Sequence, residues 1–173
     1  MRISERVSIH DRPQEINSRE RYGDWESDLT LYRKQKEALS VQYERKFMIT
    51  KFHRVVNRTA EENNRAIRET FDGLPLELRK SLTFDNGSEN VCHAKLRDTF
   101  QLDTFFCDPY SAWQKGGVEN TIGLIRRYLP KNTNLATVTD DELQAIEDRI
   151  NNRPRKKLNY LTPNEALSVA LNS

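Results

Sequence analysis

The apolar residues change their repeat part-way along this chain, and that change limits the folds open to it. In residues 24–32, DWESDLTLY, they alternate. Trp25, Ser27, Leu29 and Leu31 fall on one side and Glu26, Asp28, Thr30 and Tyr32 on the other, the period of a β-strand. The next run, ALSVQYERKFMITKF, offers two more strand-like stretches broken by charge at 44–46, which fits an antiparallel pair. Then the repeat lengthens. Thr59 with Glu62 forms a capping box before Ala66, Ile67 and Phe71, and Gly73 and Pro75 close that helix.

From there strands and helices alternate. SLTF ends at Asp85, a helical pattern follows around 94–100, and LDTFFC reads as a fifth strand. The turn-rich DPYSAWQKGG leads into a helix whose stripe is Val118, Ile122, Ile125 and Leu129, stopped by Pro130. Thr139 with Glu142, and Thr162-Pro163 with Glu165, open two more helices. Three early strands, then alternation, then helices predict an α/β fold, a mixed five-stranded sheet with helices on both faces. Residues 1–20 have little apolar periodicity and read as an extended lead-in to a core spanning 21–173.

Composition excludes some functions. With 28 basic and 26 acidic side chains the net charge is +2, too small for indiscriminate binding of nucleic acid. Two runs, 45–58 and 149–157, hold five basic residues each and no acid; each is either a solvated surface or a local site for an anionic partner. No segment is apolar enough to span a membrane or to serve as a signal peptide. The two cysteines, Cys92 and Cys107, show neither CxxC nor disulfide-rich spacing, so the expected compartment is the cytoplasm. His10, His53 and His93 do not fall at zinc-ligand spacing from the cysteines.

Three acids stand out. Asp85 sits where its strand ends, before an Asn-Gly pair that elsewhere signals a hairpin. Here the following residues have helical spacing, so the acid either starts a turn or stands at the carboxyl end of a strand that feeds a ligand crevice. Asp28 lies mid-strand, where Asp is disfavoured; it is either a polar residue on an exposed face or edge strand, or a functional carboxylate. Glu119 borders the apolar stripe in the first turn of its helix, where an acid also suits the helix dipole. Taken jointly, three such carboxylates are hard oxygen ligands for Mg²⁺ or Mn²⁺, two ions per site, and would repel one another without a cation.

DPYSAWQKGGVENTIGLIRRYLPKNTNL closely resembles the catalytic core of bacterial transposases of the insertion-sequence-thirty family, DDE transposases related to retroviral integrases. GDWESDLT resembles that family's first catalytic strand, LTFDNGSEN its second, and NNRPRKKLNYLTPNEAL its C-terminal signature. The 33 residues between Asp85 and Glu119 match the family spacing. The resemblance covers about 20–170. It implies a ribonuclease H-like fold with Asp28, Asp85 and Glu119 as catalytic, metal-binding triad. The implied reaction is metal-dependent cleavage at transposon ends followed by strand transfer into target DNA. The implied partners are double-stranded DNA and a second copy of the chain.

Candidate DNA contacts are Asn86, Trp113, Lys115, Asn120, Arg126, Arg127, Arg153 and Lys156. Asn86 either shapes its turn or touches DNA, and Trp113 either stacks on a base or anchors the core. Gly123 would allow a close backbone approach beside Arg126. His93 reads as a hydrogen-bonded structural residue. Family members carry a helix-turn-helix region before this core and this sequence opens without one. The alternative expectation is therefore a truncated remnant that only binds DNA or self-associates.

Overall fold

The computed structural model describes residues 3–173. Five strands form one sheet in the order β3-β2-β1-β4-β5. They are β1 (Asp24–Leu31), β2 (Ala38–Glu44), β3 (Thr50–Val55), β4 (Ser81–Phe84) and β5 (Asp103–Phe106). The first three pair antiparallel, whereas β1, β4 and β5 run parallel. Six helices accompany them: α1 (Gln14–Asn17), α2 (Ala60–Asp72), α3 (His93–Phe100), α4 (Gly116–Tyr128), α5 (Asp140–Asn151) and α6 (Pro163–Leu171). The mixed sheet expected from the change of repeat is the one observed.

Two apolar clusters show how the layers pack. Trp25, Leu82, Phe84 and Phe106 meet Ile67 and Phe71 of α2 and Leu96 and Phe100 of α3. Leu39, Val41 and Phe52 meet Val118, Ile125 and Leu129 of α4 and Leu143 and Ile150 of α5. Helices therefore cover both faces, and each fully buried Leu or Phe contributes about 1.5–3 kcal/mol. Because β1 is the central strand, most of its length is buried on both sides, and only its carboxyl end opens to water. Its polar series, Glu26, Asp28 and Thr30, lies under α4 instead of on an exposed face or edge, and Glu26 is fully buried.

Capping explains where the helices begin. The boxes at Thr139/Glu142 and Thr162/Glu165 are complete, and Pro163 opens α6. At α2 only half of the box forms. Thr59 Oγ1 accepts from the Glu62 amide at 3.3 Å, but the Glu62 carboxylate turns to the Val56 amide.

The amino-terminal lead-in is less extended than its sequence suggests. It contains a 3-10 turn (Ile9–Asp11) and the one-turn α1, and it buries Ile3, Ile9 and Ile16. Three isolated apolar residues without helical or strand spacing are enough to dock it. The Phe106 amide donates to Val7 O, and Arg12 donates to Thr83 Oγ1 from beneath the sheet.

Candidate active site

Strand register brings the first two acids together. β1 and β4 are adjacent and parallel, with Asp24 beside Ser81 and Glu26 beside Thr83. Continued by two residues, that register sets Asp28 level with Asp85, the residue immediately after β4. Glu119 lies in the first turn of α4, which packs across β1 and β2. Asp28, Asp85 and Glu119 all line one cavity of about 390 Å³, together with Asn86, Tyr110 and Lys115.

Each aspartate has one oxygen fixed and one oxygen aimed. Asp28 Oδ1 accepts from the Leu29 amide at 2.9 Å. Asp85 Oδ1 accepts from the Gly87 amide and from Asn90 Nδ2, both at 2.9 Å. One oxygen of Asp85 thus serves the turn, and the other faces the cavity. The strand does not continue into a hairpin; it passes through a 3-10 turn (Ser88–Asn90) into α3.

The remaining oxygens face Lys115. Its ammonium is 3.3 Å from Asp28 Oδ2 and 3.8 Å from Asp85 Oδ2, and it donates to Ser27 O at 3.0 Å. Lys115, a candidate DNA contact by sequence, is only 2% exposed, with its ammonium turned to the two aspartates. Burial opposes its charge, yet Asp28 and Asp85 outweigh that and hold the ammonium above its ordinary pKa. Burial pushes the Asp28 carboxyl up against the pull of Lys115, and the Asp85 charge adds to the rise. Glu89 is raised in the same way, by burial first and then by Asp85 and Asp28.

The donor set suits a hard divalent cation, because two carboxylate oxygens already converge on one positive charge and Glu119 lines the same cavity. A closed cage is not preformed. Among the described residues no three acidic, His or Cys side chains stand close enough together to hold a metal ion.

The other candidates scatter. Asn86 lines the cavity, but its amide donates to Cys107 O at 2.6 Å and its Oδ1 accepts from Arg6, which ties the β4 and β5 ends together. Trp113 is 74% exposed and anchors no core. Asn120 and Arg127 are exposed on α4, whereas Arg126 turns to the sheet and donates to Thr30 Oγ1 at 2.8 Å. Gly123 faces open space. Arg153 and Lys156 are exposed beyond α5, outside the acidic cavity. His93 is buried between Thr104 Oγ1 and Ser4 O, the structural role expected of it.

The basic run at 45–58 is not a free surface. Arg45 pairs with buried Glu26 at 3.5 Å, Lys51 with Glu147 at 3.1 Å, and Arg54 donates to the Leu135 and Val138 carbonyls. Lys46 and Arg58 donate to the carbonyls of Glu20 and Gln35. Charge alone gave no sign of these internal partners.

Asn90 was missed by sequence reasoning. Its signal was present, since an Asn five residues beyond an acid across a single turn can reach back to that acid.

With this geometry established, known proteins can be compared. No family model matches the chain. It is 40% identical over 169 residues to the transposase for insertion sequence element IS1086 of Cupriavidus metallidurans, covering 98% of the chain and 50% of that protein. The chain is homologous to the IS30-family transposases. Transposase InsI for insertion sequence element IS30A of Escherichia coli is 41% identical over 159 residues, covering 92% of the chain and 41% of that protein. The transposase for IS4351 of Bacteroides fragilis is 34% identical over 174 residues, covering 98% and 52%. The chain thus spans about half the length of the curated transposases it matches.

Solved structures agree on the fold. The catalytic core domain of BIV integrase superposes with a TM-score of 0.65 at 18% identity, covering 87% of this chain and 97% of that one. A chain of the simian T-cell lymphotropic virus intasome gives 0.61 at 20% identity, covering 76% and 49%. The sheet is therefore the ribonuclease H-like one of integrase cores. No helix among the described residues is long and apolar enough to cross a membrane.

Proposed function

We propose that this chain is the catalytic core of a DNA transposase, acting on transposon ends and target DNA with Asp28, Asp85 and Glu119 as its metal-binding carboxylates. The observation that carries the reading is the pair of Oδ2 atoms from Asp28 and Asp85 directed at one cation, in a cavity that Glu119 also lines. Homology to IS30-family transposases supplies the substrate class.

In this reading water attacks a backbone phosphorus at the transposon end and the P–O3′ bond breaks, which frees a 3′-hydroxyl. That hydroxyl then attacks a phosphorus of target DNA, forming a new P–O3′ bond as the target's own 3′-oxygen leaves. Asp28, Asp85 and Glu119 would hold Mg²⁺ or Mn²⁺, which when bound would supply activation of the attacking oxygen and stabilisation of the leaving one. The protein's part is positional. The Leu29 and Gly87 amides and Asn90 fix the rotamers of Asp28 and Asp85, so their free oxygens stay directed into the cavity. A second copy of the chain on DNA fits a reaction that joins two ends.

The test is nicking of DNA that carries the element ends, with Mn²⁺. Wild type is expected to nick, and Asp85→Asn to fall to background with its circular dichroism and melting temperature nearly unchanged. A wild-type chain that never nicks, even when fused to an end-binding domain, would leave the non-catalytic remnant as the better account.

A further inference from the structure

We infer that Lys115 is a built-in counter-ion that occupies the place of the divalent cation and must withdraw before metal binds. The inference rests on the reading of Asp28 and Asp85 as metal ligands, and it assigns to this lysine a role other than contact with DNA.

The geometry leaves little else for the ammonium to do. It is buried, its hydrogen bond goes to Ser27 O, and the two charges it faces are Asp28 Oδ2 at 3.3 Å and Asp85 Oδ2 at 3.8 Å. A lysine ammonium has three donors and no acceptor, so it can face both carboxylates while it donates to Ser27 O. The oxygens it faces are those a metal would need, because both Oδ1 atoms are already engaged locally. One ammonium and one divalent ion cannot share them: the like charges would repel across a distance of a few ångströms at a partly buried site.

The chain around Lys115 permits withdrawal. Lys115 ends a 3-10 turn (Ala112–Lys115) and stands as the N-cap of α4, at the boundary of the helix and not within it, and Gly116 follows with nothing near where a Cβ would lie. The neighbouring loop residues Tyr110 and Trp113 are largely exposed, so no apolar packing locks this segment. With Lys115 in place, its single positive charge offsets part of the repulsion between the two aspartates. With Lys115 removed, they repel each other until a cation arrives.

The opposed effects on the metal-free and metal-bound protein make the inference testable without an activity assay. Mn²⁺ affinity would be measured by calorimetric titration, and melting temperature in EDTA and in Mn²⁺, for wild type, Lys115→Met, Asp28→Asn and the double variant. Lys115→Met is expected to melt several degrees lower in EDTA and to bind Mn²⁺ about tenfold more tightly than wild type. In the Asp28→Asn background the same change should cost much less in EDTA, because one of the two repelling charges is gone. That comparison separates lost charge balance from lost packing.

Equal or weaker Mn²⁺ binding by a folded Lys115→Met, with wild-type nicking intact, overturns the counter-ion inference alone. Absence of Mn²⁺ binding by both proteins overturns it together with the metal reading of the site. A Lys115→Met variant too unstable to titrate, whose defect is undiminished in the Asp28→Asn background, also counts against it.

Discussion

Gly117 lies directly against the carboxylate of Glu26: a Cβ there would come within 2.6 Å of Oε2 and collide with the Tyr43 ring. Glu26 precedes Asp28 by two residues on the same side of β1, and Gly117 precedes Glu119 by two in the first turn of α4. This one close approach therefore sets the distance between the strand that carries the first acid and the helix that carries the third. Gly117→Ala should push α4 away from the sheet. The expected cost is about 1–3 kcal/mol in urea unfolding, with Mn²⁺-dependent nicking falling further than stability explains. A variant of wild-type stability and activity would show that the approach has slack.

Asn90 supports Asp85 from beneath, with its amide on Asp85 Oδ1. Its own side-chain oxygen accepts from Asn63 Nδ2 of α2 at 3.2 Å, so the acid is braced by a chain of amides from the opposite helical layer. Asn90→Ala should lower Mn²⁺ affinity or nicking by about 10–100-fold, as loss of a ligand's orienting partner commonly does. Asn90→Asp tests the same point from the other side. It keeps the size but replaces the donor with an acceptor beside Asp85, and it should be worse than alanine.

The mixed sheet and the places of Asp28 and Asp85 on or after a strand, and of Glu119 in a first helical turn, were legible because they rest on local signals: alternation, capping boxes and a strand that stops at an acid. What remained hidden was set by distant partners. Nothing near Lys115 in the sequence says that its ammonium crosses to Asp28, and nothing near Arg54 says that it will take the carbonyls of Leu135 and Val138. The same limit applied to Glu26. Alternation placed it correctly opposite Trp25, but a charged residue in a strand suggests water, and only the arrival of α4 and Arg45 makes it a buried one. Long-range neutralisation has no sequence period. Glu119 marks the intermediate case: helical periodicity put it in the first turn of α4, while its position on the cavity depends on how closely that helix meets the sheet.

Glu44 gives the chain a pH dependence of definite sign. Burial raises its carboxyl above the ordinary 4.5, although the Phe47 and Gly23 amides donate to it and pull the other way. An acid with a higher pKa in the folded state contributes stability that is fully present below its unfolded value and is lost as pH rises through the folded one. The stability difference between wild type and Glu44→Gln should therefore shift against wild type as pH rises from 4.5. His53 has the opposite sign. Burial lowers it from 6.5, so its contribution is present above 6.5 and is lost as pH falls from there through the folded-state value. Urea unfolding of Glu44→Gln and His53→Gln at closely spaced pH values measures the two slopes separately, and a slope of the reverse sign for Glu44→Gln would contradict its burial as the cause.

The free edge of the sheet is closed by two side chains of α5. β3 is an edge strand, and an uncovered edge offers unpaired amides and carbonyls to other chains. Asn151 exchanges two hydrogen bonds with Thr50, Oδ1 accepting from its amide and Nδ2 donating to its carbonyl, each at 2.8 Å. One turn earlier, Glu147 accepts from the Phe52 amide at 3.1 Å while Lys51 neutralises it. The spacing of Glu147 and Asn151 on the helix thus matches alternate residues of the strand, so α5 acts as a side-chain mimic of a sixth strand. Asn151→Ala leaves the Thr50 amide and carbonyl buried without partners. The expected destabilisation is about 1–3 kcal/mol. Amide exchange separates this from simple loss of packing: the Thr50 amide should lose its protection first, while Val41 and Leu82, deeper in the sheet, keep theirs. Unchanged protection at Thr50 would mean that the edge is held by the apolar contacts of α5 alone.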